Sequence, residues 1–150
     1  MLVMKFGGSS LAKPERLQQV GALIRDGHQR NQGKPIGVVV SALGGVTDQL
    51  VRLLAACQRG DSATEERRLL RQRHLDMLAA LASDWPASLR DQTAAALEQR
   101  LQQLNQDLDG VHLLRACPDE VQARVLACGE QLSVLLVESL LRASELRVQR

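Results

Sequence analysis

The sequence predicts an α/β fold that opens with a strand–helix–strand unit and continues as a largely helical body. Three observations predict it. Two short apolar runs, Leu2-Val3-Met4 and Ile36-Gly37-Val38-Val39-Val40, flank a single helical pattern. Each run leads into a loop rich in glycine and serine. Beyond residue 46 the apolar side chains recur every three or four residues, the period of a helix with one buried face.

The elements follow in order. Leu2–Phe6 reads as a first buried strand. Pro14 suits the first turn of a helix, and Leu17, Val20, Leu23 and Ile24 extend that helix to about Arg30. The breakers in Asn31-Gln32-Gly33-Lys34-Pro35 make a loop. Ile36–Val40 is a continuous β-branched run, the mark of a parallel strand buried on both faces. Thr47 or Asp48 would cap a helix to about Gln58. Gly60-Asp61-Ser62 breaks it. Two long helices are expected next, over 63–82 and 87–108, forming a hairpin. The run Glu65-Glu66-Arg67-Arg68 reads as a solvated face, and Asp109-Gly110 as a stop. Pro118-Asp119-Glu120 starts a helix, Gly129-Glu130 interrupts it, and a further helix runs over 131–143. Leu146-Arg147-Val148-Gln149-Arg150 alternates as a strand would.

Composition excludes several function classes. The 150 residues carry 19 Lys and Arg against 17 Asp and Glu, too balanced for a nucleic-acid partner. Phe6 and Trp85 are the only aromatics, so base stacking is unsupported. No apolar run approaches the roughly 20 residues that span a bilayer, and no secretory signal is read at the N-terminus. Cys57, Cys117 and Cys128 show no C-x-x-C spacing. They fit buried, reduced cytosolic thiols better than a disulfide frame or a zinc site. His28, His74 and His112 read as surface or helix-face residues, and no spacing supports a built-in metal site.

The candidate chemistry lies in the two loops. Lys5-Phe6-Gly7-Gly8-Ser9-Ser10 follows the first strand, and Ser41-Ala42-Leu43-Gly44-Gly45-Val46-Thr47 follows the second. Glycine lets backbone N–H groups approach an anion closely, and Lys5 adds a full charge. Gly-Gly-Ser also occurs in plain strand-to-helix turns. The pair of loops is more specific, because ligands of open α/β sheets bind at the carboxyl ends of the strands. Neither G-x-x-x-x-G-K-[ST] nor G-x-G-x-x-G is present. Glu130 is either an acid favoured near a helix N-terminus or a carboxylate that pairs with a substrate ammonium, with Ser133 one turn later.

Taken in order, Lys5-Phe6-Gly7-Gly8-Ser9-Ser10, Val40–Thr47 and Gly129-Glu130-Gln131-Leu132-Ser133 resemble the aspartokinase family over nearly the whole chain. The segment from His112 through Leu141 looks most like aspartokinase domains fused to homoserine dehydrogenase. The resemblance implies an amino-acid kinase fold, a three-layer α/β/α sandwich, with the hairpin as an insert. It implies transfer of a phosphoryl group from ATP, with Mg²⁺, to the side-chain carboxylate of L-aspartate, the first step towards lysine, threonine and methionine. Carried onto this sequence, Lys5 would contact the transferring group, with Gly7, Gly8 and Ser9 as the cradle. Ser41 and Thr47 would position aspartate and phosphates, and Glu130 would hold the substrate ammonium. A cytoplasmic homo-oligomer is implied. Asp48 stands where the family often has Asn. The later G-R-G-G-S-D and T-D-V-[DP]-G segments and the regulatory ACT domains are absent from these 150 residues. Residues 1–150 would then be the N-terminal portion of a catalytic domain, inactive in isolation. Another carboxylate or carbamate kinase of the same fold is the alternative enzyme. A non-catalytic interaction protein, pairing through the stripes of the two long helices, is the alternative outside enzymes.

Overall fold

A computed structural model describes residues 2–149. Strand β1 (Leu2–Phe6) and strand β2 (Ile36–Val40) pair in parallel, from Leu2 opposite Ile36 to Phe6 opposite Val40. Helix α1 (Pro14–Arg30) connects them. The sheet alternates as a pleated strand must. Met4, Phe6, Ile36, Val38 and Val40 face the core, whereas Val3, Lys5 and Val39 lie exposed. The expectation of strands buried on both faces is therefore corrected. Helix α1 and the last helix contact β2, and the face carrying Lys5 is open.

Helix α2 (Val46–Gln58) starts at Gly45, which takes φ +82° as its N-cap. Thr47 and Asp48 lie inside its first turn and do not cap it. Gly45 is needed here because a positive φ strains any residue with a Cβ. Helices α3 (Thr64–Leu81) and α4 (Ala87–Leu114) run antiparallel. Their direction shows in the ion pairs Arg67–Asp109 and Arg71–Glu98. Within the run Glu65–Arg68, Arg67 turns inward. It donates to Asp109 at 2.6 Å and to the Cys57 sulfur at 3.5 Å, tying α2, α3 and α4 together. Leu70, Met77, Leu78 and Leu81 of α3 and Leu97, Leu101, Leu104 and Leu108 of α4 are buried within this chain. The stripes that the alternative interaction-protein reading assigns to a partner are thus used internally.

Three further expectations fail at glycine or at the C-terminus. Asp109-Gly110 does not stop α4. Gly110 is exposed with nothing near its Cα hydrogen, so it costs the helix only its own conformational entropy. Gly129-Glu130 does not interrupt the last helix, α5 (Asp119–Ala143), which is continuous. Gly129 is there for space: a Cβ would sit 2.8 Å from the Ala42 Cβ and 3.2 Å from Val46. Residues 146–149 form no strand, and Arg150 of that expected strand lies outside the described residues. His74 is fully buried rather than on a surface, its Nδ1 2.8 Å from the Leu70 carbonyl. Burial pushes its imidazole below the ordinary histidine range.

Gly110 and Gly129 predict opposite outcomes for one substitution. Gly110→Ala should stabilise the protein by about 0.4–1 kcal/mol, by restricting the unfolded chain. Gly129→Ala should destabilise it by about 1–3 kcal/mol, because a methyl is forced against packed atoms. Denaturant unfolding measures both, and equal signs would contradict this packing.

Candidate functional site

The carboxyl ends of β1 and β2 bring the two glycine loops into contact. The Ser41 N–H donates to the Phe6 carbonyl at 3.0 Å, extending the strand pairing into the second loop. A Cβ on Gly8 would lie 3.1 Å from the Ala42 oxygen and 3.5 Å from the Gly44 Cα. A Cβ on Gly44 would lie 3.1 Å from the Gly8 oxygen and from the Ala12 Cβ. The loops therefore pack backbone against backbone, with Gly129 of α5 pressed on Ala42 from another side.

Around this junction stand the residues expected from the sequence. Lys5 is exposed on the open face of the sheet, opposite Val39 and one residue before the first loop. Gly7 and Ser9 are exposed, and nothing lies within 4 Å of where a Gly7 Cβ would be. Ser10 N–H donates to the Gly7 carbonyl at 3.0 Å, folding the first loop into a single turn that ends at Leu11. Ser41 is half-buried where the second loop begins, and Thr47 is exposed on the first turn of α2. Glu130 is half-buried on α5, next to the glycine that touches Ala42. Asp48 is exposed in the first turn of α2.

The arrangement gathers positive charge and backbone donors. Lys5 is a cation at the end of β1. The amino end of α2, with its unpaired N–H groups and dipole, adjoins the second loop. Sequence reasoning missed two further cations: Arg16 of α1 donates to the Ser9 carbonyl of the first loop at 3.1 Å, and a second arginine reaches the other loop. Arg73 of α3 is half-buried, and its Nη2 donates to the Gly44 carbonyl. Its Nη1 would be 3.8 Å from a Cβ on Gly45. No local motif marks Arg73, because the partner lies 29 residues away. Burial raises the Cys128 thiol to about 11, which keeps it protonated.

A cavity of about 710 Å³ lies elsewhere. Ile36, Val38 and Val40 of β2 face Val134, Val137 and Leu141 of α5 across it, and none of Lys5, Gly7, Gly8, Ser9, Ser41, Thr47 or Glu130 lines it. Among the described residues no helix is long and apolar enough to cross a membrane. Nor do three or more His, Cys, Asp or Glu side chains among them gather as a metal site.

Comparison with known proteins gives two kinds of finding. The profile of the amino acid kinase family matches residues 1–149. A bifunctional aspartokinase/homoserine dehydrogenase of Buchnera aphidicola is 27% identical over 99% of this chain and 18% of its own length. An aspartokinase of Chlamydia muridarum is 34% identical over 99% of this chain and 29% of its own length. An aspartokinase of Geobacillus stearothermophilus is 37% identical over 55% of this chain. The chain thus spans less than a third of the length of the first two relatives.

Ser133, one turn after Glu130, is fully buried, and its hydroxyl has no hydrogen-bond partner among the described residues. A buried hydroxyl without a partner costs about 1–3 kcal/mol of desolvation. Ser133→Ala should therefore raise the melting temperature of the ligand-free protein. A fall of similar size would show that the hydroxyl is bonded.

Proposed function

The chain belongs to the amino acid kinase family, and we propose that it carries the phosphate-binding and substrate-binding front of an aspartokinase. The reaction is attack of the side-chain carboxylate oxygen of L-aspartate on the γ-phosphorus of ATP. The bond to the β-phosphate oxygen breaks, and 4-phospho-L-aspartate and ADP form. The observation that supports this best is the meeting of two glycine loops beside Lys5 at the carboxyl ends of parallel strands. Relatives named aspartokinase align along almost all of the chain. In this reading residues 1–150 are the N-terminal portion of the catalytic domain of a three-layer α/β/α fold, with α3 and α4 as its helical hairpin insert.

Phosphoryl transfer asks mainly for positioning and for stabilisation of charge on the transferring group. The Lys5 ammonium meets the non-bridging oxygens as negative charge redistributes, and the N–H groups of Gly7, Gly8 and Ser9 form the cradle. Such preorganised donors act without reorganisation at the moment of reaction. The hydroxyls of Ser41 and Thr47 orient the aspartate and the phosphates. Glu130 accepts the ammonium of aspartate, and its distance from the loops sets which acceptor fits. A pocket alone discriminates one methylene by only about 1–3 kcal/mol, so the separation of Glu130 and Thr47 carries the choice of aspartate over glutamate. Mg²⁺ would arrive with the nucleotide as part of the substrate and would offset the charge of its phosphates. The product feeds the synthesis of lysine, threonine and methionine.

The test is steady-state kinetics on the intact protein with aspartate, glutamate and acetylglutamate as acceptors. Aspartate should be preferred. Lys5→Ala should lower kcat by about 10²–10³-fold, the loss seen when one charge-stabilising donor is removed, with an unchanged circular dichroism spectrum. Near-normal turnover in that variant would contradict the role of Lys5. Preference for another carboxylate would move the reading to a sister kinase.

A further inference from the structure

Arg73 is the one cation of the helical hairpin that reaches the glycine loops in this chain's described contacts. Its neighbours on α3 are neutralised. Arg67 pairs with Asp109, Arg68 with Glu65, and Arg71 with Glu98. Arg73 has no carboxylate within ion-pair distance among the described residues; Asp48, exposed just beyond the loop, forms no pair with it. A guanidinium carries five N–H donors in a fixed fork. Here one end of the fork is engaged by the Gly44 carbonyl, and the other stands over Gly45.

The hydrogen bond also sets the loop itself. All described peptide bonds are trans, so the Gly44 carbonyl and the Gly45 N–H lie in one peptide plane and point in opposite directions. Holding the carbonyl on Arg73 fixes the direction of that N–H. Neither the Gly44 nor the Gly45 N–H donates to another described residue. A half-buried cation without a counter-charge and two idle backbone donors thus share one loop. Partial burial of an unpaired charge is unfavourable, and an anion bound at the loop would relieve it.

We infer that Arg73 is an anion-holding residue of the second glycine loop: it fixes the Gly44–Gly45 peptide and offers its remaining N–H groups to an oxygen of a polyphosphate chain. Arginine suits this task because its fork matches two phosphate oxygens at once. The inference rests on the phosphoryl-transfer reading and names a residue that joins the hairpin to that site. It gives α3 a part in the site besides packing.

The test uses the intact protein and the variants Arg73→Ala, Arg73→Lys and Lys5→Ala. Inorganic tripolyphosphate is titrated by calorimetry, and KM for ATP is measured with aspartate. Arg73→Ala should weaken tripolyphosphate binding and raise KM for ATP by about tenfold or more, the scale of a lost charge-assisted hydrogen bond. Arg73→Lys should fall between wild type and Arg73→Ala, since it keeps the charge and loses the fork. Melting temperatures should stay close to wild type. Unchanged tripolyphosphate affinity in Arg73→Ala overturns the inference, as does a wild-type protein that does not bind tripolyphosphate. So does a loss that tracks melting temperature with Arg73→Lys as impaired as Arg73→Ala. If tripolyphosphate binding depends on Arg73 but aspartate is no acceptor, the inference stands and the aspartokinase reading fails.

Discussion

The contact of three backbones around Ala42 is the constraint on which the rest of the structure depends. Gly8 approaches the Ala42 oxygen, Gly44 approaches the Gly8 oxygen, and Gly129 meets the Ala42 methyl. A side chain at any of the three would separate the first loop, the second loop or α5 from the junction. Close packing of this kind tolerates little added volume. It holds the two strand ends side by side, and it brings Glu130 on α5 to the same region without a dedicated loop. The apolar face of α5, with Leu132, Leu135 and Leu136 buried, supplies the packing that keeps the glycine in place.

The sheet contributes direction more than stability. Two strands of five residues each bury only one face, and the body of the core lies among α2, α3, α4 and α5. The strands set where Lys5 and the loops emerge, while the helices hold those loops. This division explains why a helix far from the strands in sequence reaches the candidate site. The Arg67 contacts to Cys57 and Asp109 lock α3 against α2 and α4, and Arg73, less than two helical turns further on, meets Gly44.

Much of the first half was legible in the sequence. The bounds of β1, α1 and β2 follow from short apolar runs, a proline at the helix start and a breaker-rich loop. Such local signals act over a few residues and are not overridden by packing. The glycines after β2 were ambiguous because the same residue serves three purposes. Gly45 supplies a positive φ, Gly129 supplies room, and Gly110 is merely tolerated in a long helix. Only the neighbours distinguish these cases. His74 looked like a surface residue because a histidine among charged residues reads as polar, yet the Leu70 carbonyl, one turn back on the same helix, satisfies Nδ1. The pair of glycine loops was readable as a unit, since both follow strands. Arg73 was not, since its meaning comes from a contact between distant segments.

The measurement that tests the account most directly is the change in backbone amide resonances when tripolyphosphate is added to isotopically labelled protein. The largest shifts should cluster at residues 7–9 and 41–47, the two loops that meet around Ala42. Shifts centred instead on the apolar cavity between β2 and α5, or none at all, would contradict it.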